Sequence, residues 1–149
     1  MKIAFGCDHG GFSLKADILS HLEKRGVEVV DCGTTSEQPA DYAPFAKAVA
    51  LKVQSGEADF GVLICGTGIG ISIAANKISG IRCAHVHDTF SAHATREHND
   101  ANIVALGSRV VGPGLALDII DIFLATDFSN EERHQRRIDQ ITQLEQERL

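Results

Sequence analysis

The chain has 149 residues, enough for one domain with a single core and long enough to need no disulfide or metal to hold it together. Its composition, 44% hydrophobic and 23% charged with a net charge of −6, is that of an ordinary globular protein and argues against a general nucleic-acid surface, which needs clustered Lys and Arg. No apolar stretch approaches the ~20 residues that cross a bilayer, and the N-terminus MKIAFGCDHGG lacks a secretory core, so the expected location is the cytoplasm, with no membrane partner.

Lys2 to Cys7 is an apolar run that ends on Asp8 and His9. Gly10 and Gly11 lead into FSLKADILSHLEKRG, where Phe12, Leu14, Ile18, Leu19 and Leu22 fit a helical face and Gly26 supplies the stop. Val27 to Cys32 reads as a second strand, closed by Gly33 and the polar loop TTSEQPAD. Tyr42 to Ser55 reads as a helix with Ala43, Ala46, Val49, Ala50 and Val53 on one side. Phe60 to Ile64 is a third strand, followed at once by Cys65, by Gly66, Gly68 and Gly70, and by a helix from Ile69 to Ile78. Ile81 to His87 is a fourth strand, and Asp88 is placed to cap the helix that runs to Asp100. Ala101 to Leu106 is a fifth, followed by GSRVVGPG and the apolar helix LALDIIDIFLA. Ile138, Ile141 and Leu144 mark a last amphipathic helix, about 131–149.

Strands alternate with helices, and the strands are continuous apolar runs. That pattern predicts an α/β protein of one domain, residues 1–149, with a three-layer α/β/α Rossmann-like fold around a five-stranded parallel sheet. Ligands bind such sheets at the carboxyl ends of the strands, so Cys7-Asp8-His9, Cys65-Gly66-Thr67 and Gly107-Ser108-Arg109 are expected to share one crevice.

The glycine loop aims bare N–H groups at a small volume suited to an anion. It is not a dinucleotide fingerprint, which follows the first strand, nor a Walker loop, since Ile71 stands where Lys is needed. The dull reading is a sharp turn and nothing more. The four cysteines form no CxxC pair and no zinc spacing, so they read as free thiols. Cys7, Cys32 and Cys83 fall within or at the ends of strands, where a thiol serves as a small apolar group. Cys65 stands at a strand exit beside a helix start, which favours a thiolate, and is a candidate base or nucleophile; a buried, inert thiol is the competing reading. Asp8 and His9 suit the orienting of sugar hydroxyls, although a capping Asp and a solvent-facing His look the same. His98 is either a helix C-terminal cap or an acid–base group. His85 and His87 share a strand face, but with no third ligand evident no metal is expected. Every lysine lies at or before Lys77, while the arginines concentrate after it. Arg133, Arg136 and Arg137 with His134 form a basic knot, and Arg133 and Arg137, four apart on one helix face, can close on one phosphate. The alternative is a solvated face paired with Glu131 and Glu132.

Five segments in order, GCDHGG at 6–11, ICGTGIGISIAANK at 64–77, REHNDAN at 96–102, LGSRVVG at 106–112 and RHQRRI at 133–138, closely resemble the ribose-5-phosphate isomerase B family of sugar-phosphate isomerases, in its cysteine-containing branch. The resemblance covers nearly the whole chain. It implies an aldose–ketose isomerisation through an enediolate, without metal or organic cofactor. It further implies Cys65 as the base and the loop Gly66, Gly68, Ile69 and Gly70 as the cradle of the enediolate oxygens, with His98 and Thr67 opening the furanose ring. By the same likeness Asp8 and His9 bind sugar hydroxyls, Asn99 and Arg109 bind substrate, and Arg133 and Arg137 hold the phosphate. Family members are homodimers or homotetramers whose sites join two subunits, so the basic knot or the His98 loop is expected to come across an interface, with the last helix packed on the partner. One departure stands out: Ser129-Asn130-Glu131-Glu132 replaces the family's glycine-rich approach to the arginine pair, setting two acids beside the phosphate site. Ribose 5-phosphate is the expected substrate. The rivals are a six-carbon sugar phosphate, such as allose 6-phosphate or galactose 6-phosphate, and a non-catalytic sensor of a sugar phosphate or nucleotide.

Overall fold

The computed structural model describes residues 1–147. Strands β1 (Lys2–Cys7), β2 (Glu28–Asp31), β3 (Phe60–Cys65), β4 (Cys83–His85) and β5 (Ile103–Gly107) are each followed by a helix: α1 (Phe12–Lys24), α2 (Tyr42–Gln54), α3 (Ile69–Ala75), α4 (Thr89–Asn99) and α5 (Pro113–Ala125). A further helix, α6 (Glu132–Gln146), follows α5. The strands form one five-stranded sheet in the order β2-β1-β3-β5-β4, every pair parallel. No helix among the described residues is long and apolar enough to cross a membrane.

The apolar runs divide by alternation, because successive side chains on a strand point to opposite faces. Ile3, Phe5, Cys7, Val62, Ile64, Val104 and Leu106 face α1, α5 and part of α4, packing on Ile18, Leu22, Ile119 and Phe123. Ala4, Leu63, Cys65, Ile103 and Ala105 face α2 and α3, packing on Ala46, Val49, Ala50, Ile71 and Ala75. Covering both faces removes the strand side chains from water, worth about 2 kcal/mol for each large aliphatic residue. Cys7 and Cys65, both at strand ends, thereby lie on opposite sides of the sheet.

The chain leaves β1 toward β2 on one side and returns through β3 on the other. The connections after β1 and β3 diverge, and that divergence opens the crevice of a parallel sheet above these strand ends.

Several boundaries shift from the sequence expectation, β5 among them at Ile103–Gly107 rather than Ala101–Leu106, and three shifts have a local reason. β2 is Glu28–Asp31 rather than Val27–Cys32, and its side chains are half-buried or exposed, because it is an edge strand that pairs only with β1. β4 is Cys83–His85 rather than Ile81–His87. It is the other edge, and just ahead of it the Arg82 N–H bonds the Asn102 side chain at 2.9 Å. α3 stops at Ala75, not Ile78. Asn76 follows, and its side chain donates to Ser72 O (3.0 Å) and Cys83 O (2.9 Å) while accepting the Cys83 N–H (2.8 Å), stitching the helix end to the start of β4. The last two residues of the expected final helix, 148 and 149, lie outside the described residues.

Candidate active site

Three strand ends meet as their spacing suggests. The Asp8 N–H bonds Ile64 O (3.3 Å), the Ser108 N–H bonds Cys65 O (2.9 Å) and the Arg109 N–H bonds Gly66 O (3.0 Å), so the segments after β1, β3 and β5 form one floor. The Ser108 hydroxyl closes the circuit by donating to Gly10 O. Asp8 is buried, and its Oδ1 accepts the Gly11 N–H at 3.0 Å, which orients it at the entry to α1. His9 Nδ1 lies 3.1 Å from both the N–H and the carbonyl oxygen of Ala40, tying it to the loop before α2.

Cys65 ends β3, 5% exposed, and its Sγ accepts the Gly68 N–H at 3.1 Å. An anionic sulfur accepts such an N–H more strongly than a neutral one does. That bond exists because Gly68 is left-handed at φ +78°, a conformation a side chain resists, and so turns the chain back over the thiol. Thr67 is exposed, its hydroxyl oxygen accepting the Ile69 N–H at 3.3 Å, and Ile69 is half exposed. Side chains crowd the loop from both sides. A Cβ on Gly66 would stand 3.0 Å from the Arg109 Cζ, and one on Gly70 2.7 Å from the Tyr42 ring. The other three cysteines are buried or half-buried free thiols. Burial pushes Cys7 up to about 11 and Cys83 up to about 12, and it raises Cys32 too. Those thiols stay protonated near neutral pH.

The remaining candidates form a second group. α4 begins on Asp88, whose Oδ1 accepts the Ser91 N–H at 2.7 Å as expected of a cap, and runs to His98 and Asn99. The His98 ring lies 4.5 Å from that of His134, and its Nε2 is 3.2 Å from Glu97 Oε2. His134 is buried, with Nδ1 2.7 Å from Ser129 Oγ; burial, then the nearby His98, lowers its pKa, while Glu131 opposes. Arg133 Nε donates to Glu131 Oε2 at 2.7 Å, which holds the Glu131 carboxyl below its usual range. Of the two acids ahead of the arginine pair, one is therefore folded onto Arg133. Arg136 and Arg137 are exposed on the same helix.

The two groups sit at opposite ends of the sheet. Asn102 O accepts the Gly61 N–H at 2.9 Å, which places the end of α4 at the start of β3, whereas Cys65 pairs with Gly107 at the exit. Four residues separate those levels, about 13 Å at roughly 3.3 Å per residue. Within one chain, His98, Asn99, Arg133 and Arg137 are thus not brought to Cys65, while Asp8, His9, Thr67, the glycine loop and Arg109 are. Among the described residues no group of three His, Cys, Asp or Glu is placed to hold a metal ion.

The model of the Ribose/Galactose Isomerase family matches residues 3–141. The chain belongs to that family. Ribose-5-phosphate isomerase B of Escherichia coli is 54% identical over 147 residues, 99% of this chain and 98% of that protein. Galactose-6-phosphate isomerase subunit LacB of Clostridium acetobutylicum is 44% identical, over 97% of this chain and 83% of that one. Among solved structures, Clostridium thermocellum ribose-5-phosphate isomerase B superposes with a TM-score of 0.98 at 52% identity over all of both chains. The Mycoplasma genitalium enzyme with bound ribulose-5-phosphate superposes at 0.92 and 41% identity, over 98% and 97% of the two chains.

Sequence reasoning passed over Tyr42, which stands against Gly70; it set Ser108, here beneath Gly10, among the crevice segments without a role, and it noted His85, which reaches the Thr67 carbonyl, only as half of a histidine pair. A strand-exit position was the available signal for Ser108. For His85 the signal was alternation with His87, which marks a shared strand face and, with no third ligand, no metal. Tyr42 carried none, since its contact is long-range.

Proposed function

We propose that this chain is a sugar-phosphate isomerase that interconverts ribose 5-phosphate and ribulose 5-phosphate through an enediolate, with Cys65 as the base. The observation that carries the reading is the Gly68 N–H on Cys65 Sγ at 3.1 Å, a thiolate-stabilising bond at the floor of the strand-end crevice. Cys65 takes the proton from C2 of the open-chain aldose and returns it to C1, while the O2 proton passes to O1. The charge that develops on those oxygens is met by the fixed N–H groups of the loop around Gly66, Ile69 and Gly70, which need no reorganisation when the charge appears. Asp8 and His9 bind sugar hydroxyls, and Arg109, lying over Gly66, binds substrate from the β5 side.

His98, with Thr67, opens the furanose ring; Asn99 orients the sugar, and Arg133 and Arg137 hold the phosphate. Because these residues of one chain lie at the far end of its sheet, the site is built from two copies, the second contributing the α4 end and the start of α6. The exposed Ile141 and Leu144 of α6 suit such an interface. The test is a panel of ribose 5-phosphate, allose 6-phosphate and galactose 6-phosphate run on wild type and Cys65→Ala. The expected outcome is a clear preference in kcat/KM for the pentose and a loss of at least about a thousandfold in kcat for Cys65→Ala. A Cys65→Ala variant near wild-type activity removes the base; preference for a hexose phosphate changes the substrate; binding without turnover makes the chain a sensor.

A further inference from the structure

The Thr67–Gly68 peptide is held at both ends. Its N–H donates to Cys65 Sγ at 3.1 Å, and its carbonyl oxygen lies 2.8 Å from Nε2 of His85, the last residue of β4. A carbonyl carries no proton, so His85 Nε2 is the donor. A trans peptide is planar and sets its C=O and N–H on opposite sides, so fixing one direction fixes the other. We propose that His85 is a positioning residue for Cys65: by gripping the Thr67 carbonyl it aims the Gly68 N–H of the same peptide at the sulfur and strengthens that bond. The proposal rests on the reading of Cys65 as the base.

The peptide needs an outside hold. Gly68 has no side chain, and glycine populates both signs of φ about equally, so Gly68 by itself does not set the orientation that presents this N–H to Sγ. The His85 ring occupies the space a side chain would take: a Cβ on Gly68 would stand 2.7 Å from His85 Cδ2 and 2.8 Å from Nε2. His85 is itself braced. The His87 ring meets it edge-on at 4.5 Å, and His87 Nε2 accepts the Gly107 N–H at 3.2 Å, anchoring the pair to the end of β5. An Nε2 that accepts is unprotonated. Burial, then the neighbouring His85, lowers the pKa of His87, in keeping with an Nε2 that accepts. The alternation of His85, at the end of β4, and His87, two residues on, thus serves a backbone carbonyl and a backbone N–H. Hydrogen bonds in series polarise one another, by roughly 10–30% per bond, and the last acceptor in this series is the reacting sulfur.

His85→Ala and His85→Gln in the full chain test this, glutamine keeping an N–H donor at similar reach. Two quantities are read: the pH dependence of Cys65 alkylation by iodoacetamide, followed on the Cys65 peptide by mass spectrometry, and kcat and KM for ribose 5-phosphate. In His85→Ala the alkylation midpoint rises by roughly 1 pH unit and kcat falls about tenfold, with KM within about threefold of wild type; His85→Gln recovers most of both. An unchanged midpoint in His85→Ala overturns the proposal whatever happens to kcat. A His85→Gln variant indistinguishable from His85→Ala overturns it too. Alkylation requires no turnover, so the result stands apart from the fate of the base: an active Cys65→Ala enzyme ends the catalytic reading, while the alkylation midpoint still reports whether His85 governs the thiol.

Discussion

Glycines of similar backbone conformation carry different burdens, and two of them separate strain from function. Gly26 and Gly68 are both left-handed, at φ +72° and +78°. A Cβ on Gly26 meets nothing within 4 Å, whereas one on Gly68 meets the His85 ring and, at 2.8 Å, the backbone carbon of Leu106. Gly26→Ala is expected to cost only the conformational term, about 1–2 kcal/mol, and to leave kcat unchanged. Gly68→Ala carries the same term plus the collision, and it displaces the N–H that meets Cys65, so kcat falls by at least about tenfold. Urea unfolding and steady-state kinetics on both variants check this; equal activity in the two would separate the Gly68 turn from the chemistry. The sequence shows three alternate glycines after a strand and a thiol at its exit, which suffices to place Cys65 among backbone N–H groups. It does not show which N–H meets the sulfur, because that depends on the sign of φ at one glycine and on a histidine 17 residues further along, His85.

At the scale of an element, the end of α4 shows why a polar run at a helix end can be structural hardware. Arg96 is 6% exposed, its guanidinium 4.6 Å from the centre of the Phe60 ring and 5.6 Å from that of Phe123. It donates to Asp100 Oδ1 (2.6 Å), Ala101 O (2.7 Å) and Thr126 O (3.3 Å). Arg82, just ahead of β4, grips the same Asp100 at its carbonyl (2.8 Å) and at Oδ2 (3.2 Å). Two arginines thereby hold a residue at φ +45°, and His98 and Asn99 directly precede it. Arg96→Ala removes a buried cation and leaves Asp100 short of a partner, a loss of about 3 kcal/mol in urea unfolding. Arg96→Lys recovers little of it, since an ammonium neither stacks nor forks as a guanidinium does. A shift below about 0.5 kcal/mol in Arg96→Ala would show the clasp to be ornamental. From sequence, REHND is only a polar helix end: the partners that give Arg96 its role, Phe60, Phe123 and Thr126, are tens of residues away. The strand boundaries fell short for a related reason. Apolar runs mark buried strands well, but β2 and β4 lie at the edges, where pairing on one side only ends the ladder early.

For the whole molecule, the order of strands was beyond the sequence, while the alternation that makes the sheet parallel was plain in it. The same topology bears on the proposed two-copy site. α4 must return to the amino end of the sheet before β5 can run parallel to β3, so His98 and Asn99 are delivered to the end of the sheet that Cys65 leaves. α6 packs on α4, as the His98–His134 pair shows, and it carries Arg133 and Arg137 to that same end. A site assembled from two copies makes a strict prediction about mixtures. On the proposed assignment, Cys65→Ala and His98→Asn are each expected to be inactive as pure assemblies, because every site in them would lack either the proposed base or the proposed ring-opening group. When the two are mixed in equal amounts and allowed to exchange subunits, a site is intact if its Cys65 half comes from a His98→Asn chain and its His98 half from a Cys65→Ala chain. Random assembly makes about a quarter of the sites intact, whether the assembly is a dimer or a tetramer of such pairs. Isomerase activity of the mixture is expected to rise toward about a quarter of wild type as exchange proceeds, and a double variant carrying both lesions in one chain, mixed with neither parent, stays inactive. If both halves belonged to a single chain, every chain in the mixture would carry a lesion in its own site, and no activity would return.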